Sequence, residues 1–418
     1  MTATVPAAAE VPASIGGSIG GSMDGIVYGS WIATAAELMQ LCAEWDDLFR
    51  RANPENIFLS FGWMSTWWKH FGNGQLAVIA VRDSTGRLAA VAPFYIARSS
   101  AGLGGRRLGF LADDRVGSDY LNVLAEARFA AAAVEEIVRI LFAHQRLWDY
   151  IELCDTPDSP LMAALSAKLA GRGMRVFETT RRVCRYIRLP ATFEKFMAGI
   201  STGLRANYRR RWRALQHEHQ AECLAVSGAA ELERHFPALL ALHRMRFEQR
   251  EAESAFVAPG IPEFHVEAMR VLAAQGFARL FLLKAGGGAV AALYGFSVGG
   301  TFQFYQCGMH PGWKRYGLGQ LLIGNAIELI IGTGHATFDF LRGDESYKTR
   351  WADRAHESVT LRFFDQRPVS VAARWSLRIS AAVRGVVRSV RARLVAGRLA
   401  PIGNRRAGCH PAPQETDG

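Results

Sequence analysis

The order of elements constrains this 418-residue chain most. Hydrophobic periodicity and turn signals give residues 25–190 the order strand, two helices, three strands, helix, strand, helix, strand. Residues 191–366 open on a helical connector holding EKFMAGI and LRANYRRRWRALQHEH and then give that order again. Local signals support it. Thr34 and Glu37 form a capping-box pattern before a helix to Arg51, and Ser84-Thr85-Gly86 divides two β-type runs as a hairpin turn would. Residue identity between the halves is slight, so the repeat is one of element order. It predicts an α/β chain with mixed sheets in two domains of one fold, over 25–190 and 191–366. The alternative is one large mixed domain.

Residues 1–24, dominated by Ala, Gly, Ser and Pro, lack the basic and continuous apolar regions of a secretory signal and read as a disordered leader. No run approaches the ~20 apolar residues that span a bilayer. The six cysteines are scattered, with no CxxC and no paired Cys/His spacing, so neither a metal site nor a disulfide framework is expected. A cytoplasmic location follows.

Net charge is +11, and its placement matters. Residues 362–406 hold eleven arginines against the single acid Asp365, a net +10 that leaves +1 for the rest of the chain. In the segment 367–418, Trp375, Ile379, Val383, Val386, Val390 and Leu394 recur at three- and four-residue spacing, with most arginines on the other face. This is a basic amphipathic helix followed by a disordered tail from Pro401. Two partners are open to residues 371–399: an anionic membrane surface or the body of the protein.

The stretch KRYGLGQLLIGNAIELI from Lys314 places two glycines where a turn becomes a helix. Such a turn aims backbone N–H groups and a helix dipole at one point, beside positive charge, and suits a diphosphate. Gly319 is followed by Gln-Leu-Leu, which excludes a Walker loop, and the glycines follow three meander strands without the third glycine of a dinucleotide fingerprint.

The pattern Lys314-x-x-Gly317-x-Gly319 resembles the [RQ]xxGxG/A loop of the GNAT acetyltransferase superfamily, with Lys in the first slot. More specifically, residues 31–365 resemble the CelD-type acyltransferases linked with cellulose and exopolysaccharide biosynthesis, relatives of the FemAB-like double-GNAT proteins. Trp63, Trp67, Phe71-Gly72, Ala92-Pro93, Ser118-Asp119-Tyr120, Arg205–Arg210, Phe338–Asp344, Tyr347-Lys348 and Trp351 carry that resemblance. It implies two tandem GNAT-like domains, the first degenerate, with one acyl-CoA site in the second. Acyl-CoA (acetyl-CoA) would be the co-substrate, held by Lys314, Arg315, Gly317, Leu318, Gly319 and Gln320, with no metal. The acceptor would be an amine or hydroxyl of a saccharide or related small molecule, bound between the halves.

Acyl transfer from a thioester needs a base for the attacking group, donors for the developing oxyanion and a proton for the departing thiolate. The resemblance implies backbone contacts along Phe304–Met309 and makes Tyr347 the candidate acid; packing is its other role. Asp339, alternating with two phenylalanines, and Asp344 are candidate bases, Asp344 equally a helix N-cap. Arg342, Lys348 and Trp351 are candidate acceptor-binding residues, although Arg342 and Lys348 suit a surface ion network as well. Cys307 reads as a buried strand cysteine rather than a nucleophile, and His310 as incidental. The basic helix 205–213 reads as a local anion contact; nucleic acid is not an expected partner. Two alternatives to acyl-CoA transfer remain: an aminoacyl-tRNA-dependent FemAB-like transferase, and a non-catalytic assembly factor for polysaccharide export, held peripherally at the inner face of the membrane.

Overall fold

The computed structural model describes residues 26–99, 105–113, 115–248, 256 and 258–398. The leader expected over 1–24 and the tail from Pro401 lie outside the described residues.

Local chemistry sets the elements. Thr34 accepts from the Glu37 amide and Glu37 reaches back to the Thr34 amide, closing the capping box over Ala35–Gln40; the helix then resumes at Cys42–Ala52. Ser60 caps Phe61–Phe71 by accepting from the Trp63 amide. The Ser84-Thr85-Gly86 turn joins Val78–Asp83 to Leu88–Ala92 as an antiparallel pair. Pro93 then divides the long run predicted there: Leu88–Ala92 stays in a four-stranded sheet, while Phe94–Arg98 enters an eleven-stranded one.

The large sheet shows how the halves are joined. Strand Arg175–Arg188, which closes the first half, pairs with Thr337–Arg342 of the second. Strand Arg354–Phe364, which closes the second half, pairs with Tyr150–Pro157 of the first. The two closing strands also pair with each other, from Arg354↔Tyr186 to Phe364↔Arg175. Each half therefore lends its last strand to the other, and one sheet runs through both. That pairing carries the closing strand back to Arg175, with a register shift at Thr179.

Each half also holds one parallel pair whose strands are linked across a helix. In the first half Arg107 and Leu108 pair with Tyr150 and Ile151 across Ala130–Ala143. In the second, Thr301–Gln303 pair with Thr337–Asp339 across Leu318–Gly332. The protein is thus a mixed α/β structure of two halves with like topology.

Helix Pro368–Arg398 follows the last strand. Its buried Ala373 and Leu377 pack on Tyr150 and Phe364, with Phe177 alongside. Among the described residues, no helix is long and apolar enough to cross a membrane.

Candidate active site

A bulge opens the site. Gly295 pairs with Phe304 and Tyr294 with Gln306, so Tyr305 is an extra residue in strand Thr301–Met309. Such an insertion bends a strand and interrupts its ladder. The parallel pairing with Thr337–Arg342 stops at Gln303↔Asp339, and the two strands diverge beyond it. Gly308 lets helix Ala229–Glu248 lie against the bent strand, because a Cβ there would overlap the His243 amide. Two cavities lie along the bent strand, and the second, lined by Phe304–Cys307 and Phe340–Arg342, occupies the divergence.

The first, about 530 Å³, has Phe304, Cys307 and Met309 on one wall and the glycine loop on another. His310 Nδ1 accepts from the Gly312 amide at 3.1 Å and starts the short turn Pro311–Tyr316. Gly317 then takes a left-handed conformation, φ 65° and ψ 50°, that strains any residue with a Cβ. The helix Leu318–Gly332 begins there, and its first-turn amides and dipole suit an anion. Lys314, Gly317, Leu318, Gly319 and Gln320 all line this cleft.

Arg315 does not. Its guanidinium bonds Glu218 at 3.1 Å and the Tyr316 hydroxyl, and its side chain is 70% exposed. Three arginines do line the cleft, Arg211, Arg246 and Arg350, and the one that bonds the glycine loop is Arg211, from helix Thr202–His219. Its Nη1 donates to Gln320 Oε1 at 3.1 Å, while Gln320 Nε2 donates to the Leu204 carbonyl at 3.2 Å. Gln320 therefore tethers the loop to that helix. Spacing alone favours the arginine adjacent to the loop; the basic helix held the signal for Arg211, but not which of its arginines points inward.

The second cavity, about 300 Å³, shares Arg246, Phe304, Cys307 and Tyr347 with the first. These four residues mark the junction. Tyr347 packs edge-on to Phe340 there, ring centroids 6.5 Å apart. Arg246 Nη1 lies 2.7 Å from Cys307 Sγ and 3.1 Å from its carbonyl oxygen. Sequence reading missed Arg246, whose partner is 61 residues away.

The first half contributes Gly117 and Asp119 to the second cavity. Burial pushes the Asp119 carboxyl up to about 6, against the pull of Arg342. Arg342 Nε lies 3.2 Å from Asp119 Oδ1, and its backbone amide donates to Oδ2 at 3.0 Å. Its Nη1 bonds Asp155 as well. Lys348 is buried, donating to the Arg342 carbonyl at 2.7 Å and pairing with Glu345 at 2.9 Å. Arg342 and Lys348 thus line the cavity with internal partners already in place. Tyr120, Asp155 and Leu341, around this cluster, all have positive φ. Such strain, on the order of 1–3 kcal/mol each, persists where surrounding structure enforces it.

The other expected residues lie elsewhere. Asp339 is buried and lines neither cavity; it accepts from the Tyr120 hydroxyl at 3.0 Å and the Leu341 amide at 2.7 Å. Asp344 is 66% exposed, bonds Arg185 at 2.9 Å and lines neither cavity. Nor does it cap a helix. The helix there spans Lys348–Trp351, with Tyr347 at its N-cap. Trp351 stacks on Phe196 with centroids 6.1 Å apart and lines the first cavity rather than the second.

Distant sequence blocks meet here. Trp63 Nε1 donates to Ser118 Oγ at 2.9 Å, Asp119 holds Arg342, and Tyr120 holds Asp339. In the first half, Arg107 on the parallel strand bonds Asp113 and the Tyr95 hydroxyl. Among the described residues, no group of three His, Cys, Asp or Glu side chains is placed to hold a metal.

Residues 202–349 match the family model described as an acetyltransferase (GNAT) domain. Among solved structures, the chain is similar to FemX, with 10% identity over 77% of this chain and 95% of that one and a TM-score of 0.52. It is also similar to the C-terminal domain (DUF2156) of a putative lysylphosphatidylglycerol synthetase from Agrobacterium fabrum, with 11% identity over 84% and 97% and a TM-score of 0.50. Likeness at such identity concerns the fold alone. Curated proteins gave no match. The fold is that of tandem GNAT-like domains, and the segment that matches the acetyltransferase (GNAT) domain model holds the glycine loop and most of both cavities.

Proposed function

We propose that the protein transfers an acyl group, acetyl in the simplest case, from acyl-CoA to an amine or hydroxyl of a saccharide or related small molecule. The observation that carries this reading is the junction. A cleft fronted by Lys314, Arg211 and a helix N-terminus meets a polar cavity holding Asp119, and Tyr347 stands where they join.

Acyl-CoA supplies an activated thioester carbonyl. Its diphosphate suits the amides at Leu318 and Gly319 together with Lys314 and Arg211, leaving the pantetheine to run along Phe304–Met309. Asp119 accepts the proton of the attacking nitrogen or oxygen as the new bond forms to the carbonyl carbon. Tyr347 gives its proton to the sulfur as the carbon–sulfur bond breaks. Asp339 acts as a positioning residue, fixing Tyr120 beside Asp119. Arg342 holds Asp119 in place and moderates the effect of burial on its charge.

The finer assignment, a CelD-type role in exopolysaccharide or cellulose biosynthesis, draws support from the hydrogen bonds that join Trp63 to Ser118, Asp119 to Arg342 and Tyr120 to Asp339 beside the second cavity. The near-neutral body favours a small acceptor over transfer RNA. Thiol release from acetyl-CoA, followed across a panel of amino sugars and neutral sugars, tests the reading. Acceptor-dependent release that is lost in Asp119→Asn supports it; release that ignores the acceptor panel and survives that change contradicts it.

A further inference from the structure

The C-terminal helix shows a second apolar surface. Val371, Trp375, Ile379 and Val383 are 41, 58, 62 and 55% exposed, each one helical step of four residues from the last. Four-residue spacing brings side chains onto one face. Ser370, Ala373 and Leu377 are buried on the side turned to the body. The apolar stripe is thus not the surface that docks the helix.

Basic groups flank it. Arg374 lies over the Phe177 ring at 4.4 Å and Arg378 over Trp375 at 5.6 Å. The sequence carries the apolar spacing on through Val386, Val390 and Leu394, within a segment of net charge +10. A protein rarely leaves a tryptophan and three branched aliphatic residues aligned in water without a partner.

We propose that this helix is a membrane-surface anchor, with Val371, Trp375, Ile379 and Val383 entering the headgroup–acyl boundary of an anionic bilayer. Charge decides between the occupants. A second copy would bring an equally positive segment against the same stripe, whereas anionic lipid attracts each nearby arginine. The helix also has the form suited to that boundary: apolar on one stripe, basic beside it and too polar to span. The site would then work at a membrane surface while its cavities remain in the aqueous body. This inference stands apart from the acyl-transfer reading.

Flotation of the full chain tests it, using vesicles of phosphatidylcholine alone and of phosphatidylcholine mixed with phosphatidylglycerol. The full chain is expected to float with the anionic vesicles only, and to be released as salt rises. Trp375→Glu combined with Ile379→Glu is expected to reduce the floated fraction on the order of tenfold or more. Both side chains are exposed, so its melting temperature and coenzyme A affinity should match those of the wild type. Failure of the full chain to float with either vesicle, or undiminished flotation of the double variant, overturns the proposal. So does a concentration-dependent dimer, without flotation, that the same two changes abolish.

Discussion

The Tyr120 hydroxyl donates to Asp339 Oδ2 at 3.0 Å across 219 residues of sequence, joining the two halves beside the second cavity. Tyr120 holds this position with a φ of 54°, a conformation seldom adopted by an aromatic residue. Burial pushes the Asp339 carboxyl up to about 7, with the Leu341 amide and Tyr120 pulling it down. The bond therefore links the order of one half to the charge state of a residue in the other.

A pH signature follows. A carboxyl whose folded value is raised lends stability that is fully present below its unfolded value, near 4. That stability is lost as pH rises through about 7. Urea unfolding between pH 5 and pH 8 should show stability falling, and Asp339→Asn should flatten that fall. Tyr120→Phe should cost about 1–3 kcal/mol by removing a buried donor from the carboxylate.

Asp119 gives the corresponding signature in activity. Its carboxyl, raised to about 6, must be ionised to accept a proton. The rate should fall as pH drops below about 6, following kcat/KM. Asp119→Asn should remove that acid limb and lower kcat by roughly 10²–10⁴, the usual range for a positioned base.

Tyr347 touches both cavities, so its hydroxyl and its ring can be separated by experiment. Tyr347→Phe keeps the packing on Phe340 and removes the proton donor. The expected result is a loss in kcat on the order of a hundredfold, with little change in the KM for acyl-CoA. Equal losses in binding and turnover would instead mark the residue as packing.

Gly317 is fixed by its backbone. Alanine in a left-handed conformation costs roughly 1–2 kcal/mol, and its Cβ would also displace the Arg211 guanidinium, the movable end of its side chain. Gly317→Ala should therefore lower the melting temperature and weaken coenzyme A binding together. A thermal melt with and without coenzyme A measures both.

Much of the fold was legible because periodicity and caps are local. The Thr34–Glu37 capping box, the hairpin at Ser84–Gly86 and the Gly317 turn each depend on residues within a few positions of one another. Strand exchange was not legible. Nothing within Arg175–Arg188 or Arg354–Phe364 says which half will supply the neighbour. The same limit applies at the site. Spacing identified the loop but favoured Arg315 over Arg211, because the Glu218 carboxylate that draws Arg315 away comes from another element. It likewise drew attention to Asp344, which pairs with Arg185, while Asp119 reaches the cavity from the other half.

The difference between those two arginines tests the central claim most directly. Isothermal titration of acetyl-CoA should show one binding site in the wild type. Arg211→Ala should weaken it on the order of tenfold by removing a charge-assisted contact to phosphate, and Arg315→Ala should leave it unchanged. Absence of binding in the wild type would contradict the account, as would an affinity that depends on Arg315 and not on Arg211.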